Sequence, residues 1–210
     1  MKIKLLIFFK TLLISLILIS CSKTNKLENI NNVLLFGDSL MSGYGLKEDQ
    51  TLSIILENDL KDAGYNIKVI NGSVSGDTSE DGLDRIEEYT SSGDIDLIVL
   101  GLGANDMLRR INPDQTESNL RKIIEIIKTK NIKIILAGIK ASPTNGLAYK
   151  KKFDDIFPEL AKEYDLNLIP FLLKKVALNP KLNQSDGIHP NFEGAKVISE
   201  TIKESIINFD

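Results

Sequence analysis

Short apolar runs alternate along this chain with stretches in which apolar residues recur every three or four positions. The runs fall at residues 33–36, 67–70, 97–100, 132–137 and 166–169, made mostly of Val, Ile and Leu and interrupted only at Lys68, Lys133 and Asn167. Strands covered on both faces have this composition, because neither side of the pleat meets water. Between the runs, Leu52, Ile55, Leu56 and Leu60 share one helical face, Leu83, Ile86 and Tyr89 a second, and Leu120, Ile123, Ile124 and Ile127 a third. Gly64 follows the first helix as a candidate cap. A fourth helix is expected over about residues 149–164, kinked or split by Pro158, and a last one over about 191–207. This alternation predicts parallel βαβ units with right-handed crossovers, and so an α/β fold in three layers, α/β/α. Reactive groups in such sheets gather at the carboxyl edge of the strands.

The first 21 residues break the pattern. Lys2, Lys4 and Lys10 flank a run of Leu, Ile and Phe, and the uncharged stretch that begins at Thr11 ends at Cys21. This is the layout of an export signal; a spanning helix needs about 20 apolar residues and does not normally carry a lysine inside. Leu18-Ile19-Ser20-Cys21 resembles the lipobox of bacterial lipoproteins. Residues 1–20 are therefore expected to be a signal peptide and Cys21 to be lipidated, tying the protein to a membrane; an uncleaved anchor, or a cut elsewhere, is the alternative. Ser22 stands where an aspartate would mark inner-membrane retention in some two-membrane bacteria, which favours the outer membrane. Residues 21–30 are expected to form a lipidated, polar tether, and residues 31–210 a single domain.

Composition fits that division. With 42% hydrophobic and 26% charged residues in 210, the chain can build one sizeable core. Cys21 is the only cysteine, so no internal disulfide can form, and lipidation would leave no free thiol. Removing residues 1–20 takes away three lysines and no acids, making the rest more acidic than the whole chain at −3. That balance argues against nucleic acid as a partner. One histidine and no spare cysteine are too few for a zinc site, and no dinucleotide or phosphate-binding loop is complete, since Asp106 stands where the third glycine after Gly101 and Gly103 belongs. No metal or organic cofactor is expected.

Four polar blocks lie at strand ends or in loops: Gly37-Asp38-Ser39-Leu40, Ser75-Gly76-Asp77-Thr78, Gly103-Ala104-Asn105-Asp106 and Asp186-Gly187-Ile188-His189-Pro190. They contain the minimum set for acyl transfer: a hydroxyl to attack, an imidazole to take its proton and a carboxylate to fix the tautomer. His189 is the only histidine, so no other imidazole can serve as base. Taken singly, Ser39 could be a turn or capping serine, Asp186 a turn aspartate, Gly76 a loop glycine and Asn105 an Asx-turn residue.

In this order the four blocks closely resemble the SGNH (GDSL-type) hydrolase family, in its bacterial arylesterase, thioesterase and lysophospholipase branch. Gly138-Ile139-Lys140-Ala141-Ser142-Pro143 and Leu182-Asn183-Gln184-Ser185 add to the likeness. The resemblance implies a five-stranded parallel sheet in flavodoxin-like order. It also implies Ser39 as nucleophile, His189 as base and Asp186 as its orienting carboxylate, with an oxyanion hole formed by the backbone N–H groups of Ser39 and Gly76 and the amide of Asn105. The substrate would be a small acyl ester or thioester. Asp38 and Asp106 are expected to brace their loops. Arg110 stands where related arylesterases carry a small residue, and Ser142 departs from their Ala-Pro-Pro pattern, so substrate preference is open. Rival readings are a carbohydrate acetyl esterase and a non-catalytic binding protein on the same scaffold. The sequence leaves the natural substrate and the oligomeric state undetermined.

Overall fold

In a computed structural model of the chain, the described residues are 26–209. The expected signal peptide and Cys21 lie outside them. Five strands, β1 (Asn32–Gly37), β2 (Lys68–Asn71), β3 (Leu97–Gly101), β4 (Lys133–Ala137) and β5 (Asn167–Ile169), form one sheet in the order β2-β1-β3-β4-β5. Every neighbouring pair is parallel. This is the flavodoxin-like order the family resemblance implied, and its direction of winding reverses at β1 and β3, where a crevice opens at the carboxyl edge. β1, β3 and β4 are almost wholly buried, which is why they read as unbroken apolar runs.

The helices are α1 (Ser39–Ser42), α2 (Leu52–Asp62), α3 (Ser79–Thr90), α4 (Ala104–Leu108), α5 (Pro113–Thr129), α6 (Leu147–Tyr164) and α7 (Phe192–Ile207). α2 packs against α7, α3 against α5, and α5 against α6. Right-handed crossovers demand this pairing: α2 and α7 cover one face of the sheet, and α3, α5 and α6 the other. Ser199 ties the first pair by donating to Asp59 at 2.6 Å. Gly64 takes a φ of +91°, and the N–H groups of Tyr65 and Gly64 reach the carbonyls of Leu60 and Lys61, a Schellman ending for α2.

Two expectations need correction. α6 is not split: the helix runs from Leu147 to Tyr164 through Pro158, which has no N–H to offer the Asp154 carbonyl. Phe153, Ile156, Phe157 and Leu160 are buried on both sides of the proline, and that packing holds the helix together. The packed body also begins before residue 31. Lys26–Asn29 form a 3-10 turn, and Leu27 and Ile30 are buried in the core, three residues apart on one side of that turn. Among the described residues no helix is long and apolar enough to cross a membrane.

At the carboxyl edge, β1 and β3 come together at Gly37 and Gly101, which are partners in register. A Cβ on Gly37 would lie 2.6 Å from the Gly101 carbonyl oxygen and 2.6 Å from Met41 Sδ, and one on Gly101 would also strike that sulfur. The space left by the two glycines seats fully buried Met41, which pins the one-turn helix α1 onto the sheet. Gly37→Ala is expected to destabilise the protein by about 1–3 kcal/mol through overpacking. Urea denaturation measures this, and an unchanged midpoint would contradict the packing described.

Candidate active site

Ser39 is the first residue of α1, directly after β1. Asp38 caps the helix, its Oδ1 accepting the Leu40 N–H at 3.0 Å, and Gly43 ends it in the left-handed region at φ +85°. Ser39 is thereby held at the sheet edge without the Gly-x-Ser-x-Gly elbow of α/β-hydrolases, which this sequence lacks because residue 41 is Met.

His189 arrives from the far end of the chain, in a tight loop ahead of α7. Asn183 and Pro190 form an antiparallel bridge, the Gln184 N–H donates to the His189 carbonyl at 2.8 Å, and Gly187 turns the chain at φ +71°. His189 Nε2 lies 3.0 Å from Ser39 Oγ, and Nδ1 lies 2.7 Å from Asp186 Oδ2. The other oxygen of Asp186 accepts the backbone N–H groups of Ile188 and His189 at 2.9 and 3.0 Å. These contacts hold the Asp186 carboxyl down at about 2, the His189 backbone N–H contributing most, then the imidazole, then the Ile188 N–H. A carboxylate so fixed makes Nδ1 the protonated nitrogen and leaves Nε2 free to accept from the hydroxyl.

Gly76 lies in the loop after β2. Val74 to Asp77 form a turn closed by the Asp77 N–H on the Val74 carbonyl, with Gly76 at φ +93° in the position where a type II turn needs glycine. The loop lies along the end of β1, the Val74 N–H donating to the Gly37 carbonyl at 3.1 Å. Asn105, in α4 beyond β3, donates from Nδ2 to the Asp77 carbonyl at 2.9 Å. One of its two amide hydrogens is thus engaged and the other remains for a ligand. Ser39, His189 and Asp186 are joined directly, while Gly76 and Asn105 are joined to each other through Asp77.

Asp106 braces its loop, as expected, and does more: fully buried, it accepts from the Ser79 N–H and hydroxyl and from the Thr116 hydroxyl, linking α3, α4 and α5. Arg109 donates to the Gly76 carbonyl at 2.8 Å, so it fastens the Gly76 turn from the rim. Arg110 is exposed and occupies the left-handed region at φ +54°, a conformation that favours glycine, which explains why a small residue suits that position. Ser142 caps the turn Pro143–Asn145, accepting the Thr144 N–H.

Three neighbours escaped the sequence reading. The Tyr44 ring stacks at a tilt on the His189 imidazole, 4.4 Å between centroids. The Gln184 amide donates to the Tyr44 and Pro190 carbonyls, tying the loop after Ser39 to the loop of His189. Arg85, on α3, donates to Gly37, Gly72 and Asp77. Gln184 lay in a stretch already noted for its family likeness, whereas Tyr44 and Arg85 read as ordinary polar positions beside amphipathic segments. No group of three or more His, Cys, Asp or Glu side chains among the described residues is placed to hold a metal ion.

A doubly wound parallel sheet carrying a hydrogen-bonded Ser-His-Asp chain at its carboxyl edge is the arrangement used by α/β hydrolytic enzymes of the triad type. Comparison with known proteins narrows the class. The model of the GDSL-like Lipase/Acylhydrolase family matches residues 35–197. An arylesterase of Vibrio mimicus is 34% identical over 195 residues, 93% of this chain and 97% of that protein. The thioesterase 1/protease 1/lysophospholipase L1 of Escherichia coli K12 is 34% identical over 176 residues, covering 84% of this chain and 83% of that one. A crystal structure of the psychrotrophic esterase EstA from Pseudoalteromonas sp., inhibited by monoethylphosphonate, superposes with a TM-score of 0.80 at 28% identity, covering 84% of this chain and 96% of the other. The chain belongs to the GDSL-like lipase/acylhydrolase (SGNH hydrolase) family and is an ester hydrolase.

Asp38, beside Ser39, is fully buried, and its Oδ2 has no hydrogen-bond partner among the described residues. Burial pushes its carboxyl up to about 7; the Leu40 N–H pulls it down, and the Asp106 and Asp77 carboxylates add to the rise. A carboxyl raised by folding ionises first in the unfolded chain, so its effect on stability is lost as pH rises toward 7. Asp186 and Asp81, both lowered, act only below the ordinary carboxylate range. Unfolding free energy is therefore expected to fall by roughly 3 kcal/mol between pH 5 and pH 8. Asp38→Asn, which keeps the acceptor for Leu40, should flatten that slope in urea titrations at the two pH values; an equally steep slope in the variant would rule out Asp38 as its source.

Proposed function

We propose that this protein hydrolyses carboxylic esters or thioesters through an acyl-enzyme at Ser39. The observation that carries the proposal is the unbroken chain from Ser39 Oγ through the His189 imidazole to the Asp186 carboxylate, at 3.0 and 2.7 Å. In the first half-reaction Ser39 Oγ attacks the acyl carbonyl as its proton passes to Nε2. The negative charge that develops on the carbonyl oxygen is met by the N–H groups of Ser39 and Gly76 and the free amide hydrogen of Asn105. His189 then protonates the leaving alcohol or thiol. In the second half-reaction water, deprotonated by the same nitrogen, attacks the acyl group and releases Ser39.

The relatives support this substrate class, being named arylesterase and thioesterase/lysophospholipase. The loops that carry the site add a physical reason. Tyr44, Val74, Leu108 and Ile188 are large apolar residues left exposed, and each lies within five residues of Ser39, Gly76, Asn105 or His189. Exposed apolar side chains on the segments that carry the site favour acyl and aryl groups over acetylated sugars.

Export and attachment through a lipidated Cys21 belong to the same proposal and rest on the sequence pattern. β1 starts at the amino edge of the sheet, so a lipid at Cys21 would join the body on the side away from the triad. The chain from Cys21 to Leu27 reaches about 20 Å at most.

The purified protein is expected to hydrolyse p-nitrophenyl acetate and butyrate. Ser39→Ala should lower kcat by at least about 10³-fold, and Asn105→Ala by about 10²–10³-fold; full activity in Ser39→Ala would end the proposal. Because Asp186 stays ionised down to about pH 2, kcat/KM should not fall on the acid side through loss of that carboxylate's charge; activity should rise with pH because the base must be neutral to accept the Ser39 proton. A flat profile between pH 5 and 9 would contradict the assignment of the base.

A further inference from the structure

Arg85 spends its guanidinium on three separate segments of the catalytic edge. Nε donates to Asp77 Oδ2 at 2.6 Å, Nη1 to the Gly72 carbonyl at 2.5 Å and Nη2 to the Gly37 carbonyl at 3.0 Å. Its flat face lies 4.0 Å from the centre of the Phe36 ring, and Tyr89 closes the aromatic cluster edge-on to Phe36. The side chain is 16% exposed, so these bonds form largely out of water, where they are strongest.

Each acceptor bears on a different part of the site. Gly37 is the last residue of β1, two before Ser39. Gly72 begins the loop that leaves β2. Asp77 follows Gly76, and its carbonyl receives the Asn105 amide. A single rigid fork therefore holds the strand end ahead of Ser39 and the turn that bears Gly76 and fixes Asn105. A planar guanidinium can serve three acceptors in fixed directions, whereas an ammonium on a flexible stem is a point charge that cannot reproduce the fork.

We propose that Arg85 is a positioning residue that sets the mutual placement of the Ser39, Gly76 and Asn105 oxyanion donors. It acts from beneath the donors through Gly37 and Asp77. The inference rests on the hydrolase reading above and extends it to a residue outside the triad and the oxyanion hole. Donors for a developing oxyanion work because their geometry is fixed before the charge appears, and displacement by about 1 Å can cost 10²-fold in rate. Loss of Arg85 should therefore act on turnover, with little effect on substrate capture.

The test compares the full-length wild type with Arg85→Lys and Arg85→Met, with rates normalised to active sites titrated by a fluorophosphonate. Arg85→Met guards against misfolding, since it places an unbranched apolar side chain beside Phe36. Both variants are expected to lose about 10- to 100-fold in kcat with KM within about threefold of wild type. In an Asn105→Ala background, Arg85→Lys should cost less than it does in the wild-type background, because one of the three donors it positions is already gone. Either variant with wild-type kcat per titrated site, a loss confined to KM, or losses that multiply independently with Asn105→Ala would overturn the inference and leave the hydrolase reading standing. An inactive wild type would instead refute the hydrolase reading, and the role of Arg85 with it.

Discussion

One hydrogen bond, between the Oγ of Ser39 and the Nε2 of His189, joins residues 150 positions apart, and the proposed chemistry depends on it. Neither partner can reach the other by local structure. Ser39 is placed by the first strand of a parallel sheet, His189 by the loop that precedes the last helix. They meet because that helix returns to the face occupied by α2, and because the Gln184 amide closes the gap between the two loops at the Tyr44 carbonyl. A change in how α2 and α7 pack would break the pair without altering any residue in it.

The two halves of the site are built on different principles. The half proposed to transfer the proton is partly open to water: the Asp186 side chain is 39% exposed, and its carboxylate keeps its charge through hydrogen bonds from the His189 backbone and imidazole and the Ile188 N–H. The half proposed to face the carbonyl oxygen is anchored in the interior. There a buried carboxylate, Asp106, and a largely buried guanidinium, Arg85, fix the strand ends and helix starts from below. The close approach of β1 and β3 at two glycines, with Met41 filling the space above, sets the base on which both halves stand.

Much of the fold was legible because strands buried on both faces and helices buried on one leave different apolar periods. The expected strands differ from those of the structure by one or two residues at their ends, where the chain passes into polar loops. Pro158 does not split α6, because Phe153, Phe157 and Leu160 bury enough surface on both sides of it to keep the helix whole. Leu27 and Ile30 misled because two apolar residues in a polar stretch form no period that marks a packed turn. Among the site residues, the four blocks stood out through their polar character at strand ends. Arg85 and Tyr44 did not, since the contacts that matter are made across the sheet edge to segments distant in sequence. Asp38 gives no sign in sequence that its carboxyl is buried to the point of resisting ionisation.

The central claim is that Ser39, through His189, is an activated nucleophile. Mass spectrometry of the protein after treatment with a stoichiometric fluorophosphonate tests it without reference to any substrate. The account predicts one adduct per chain, located on the peptide that contains Ser39 and absent when His189 is replaced by Ala. No adduct, or an adduct on another serine, would contradict it.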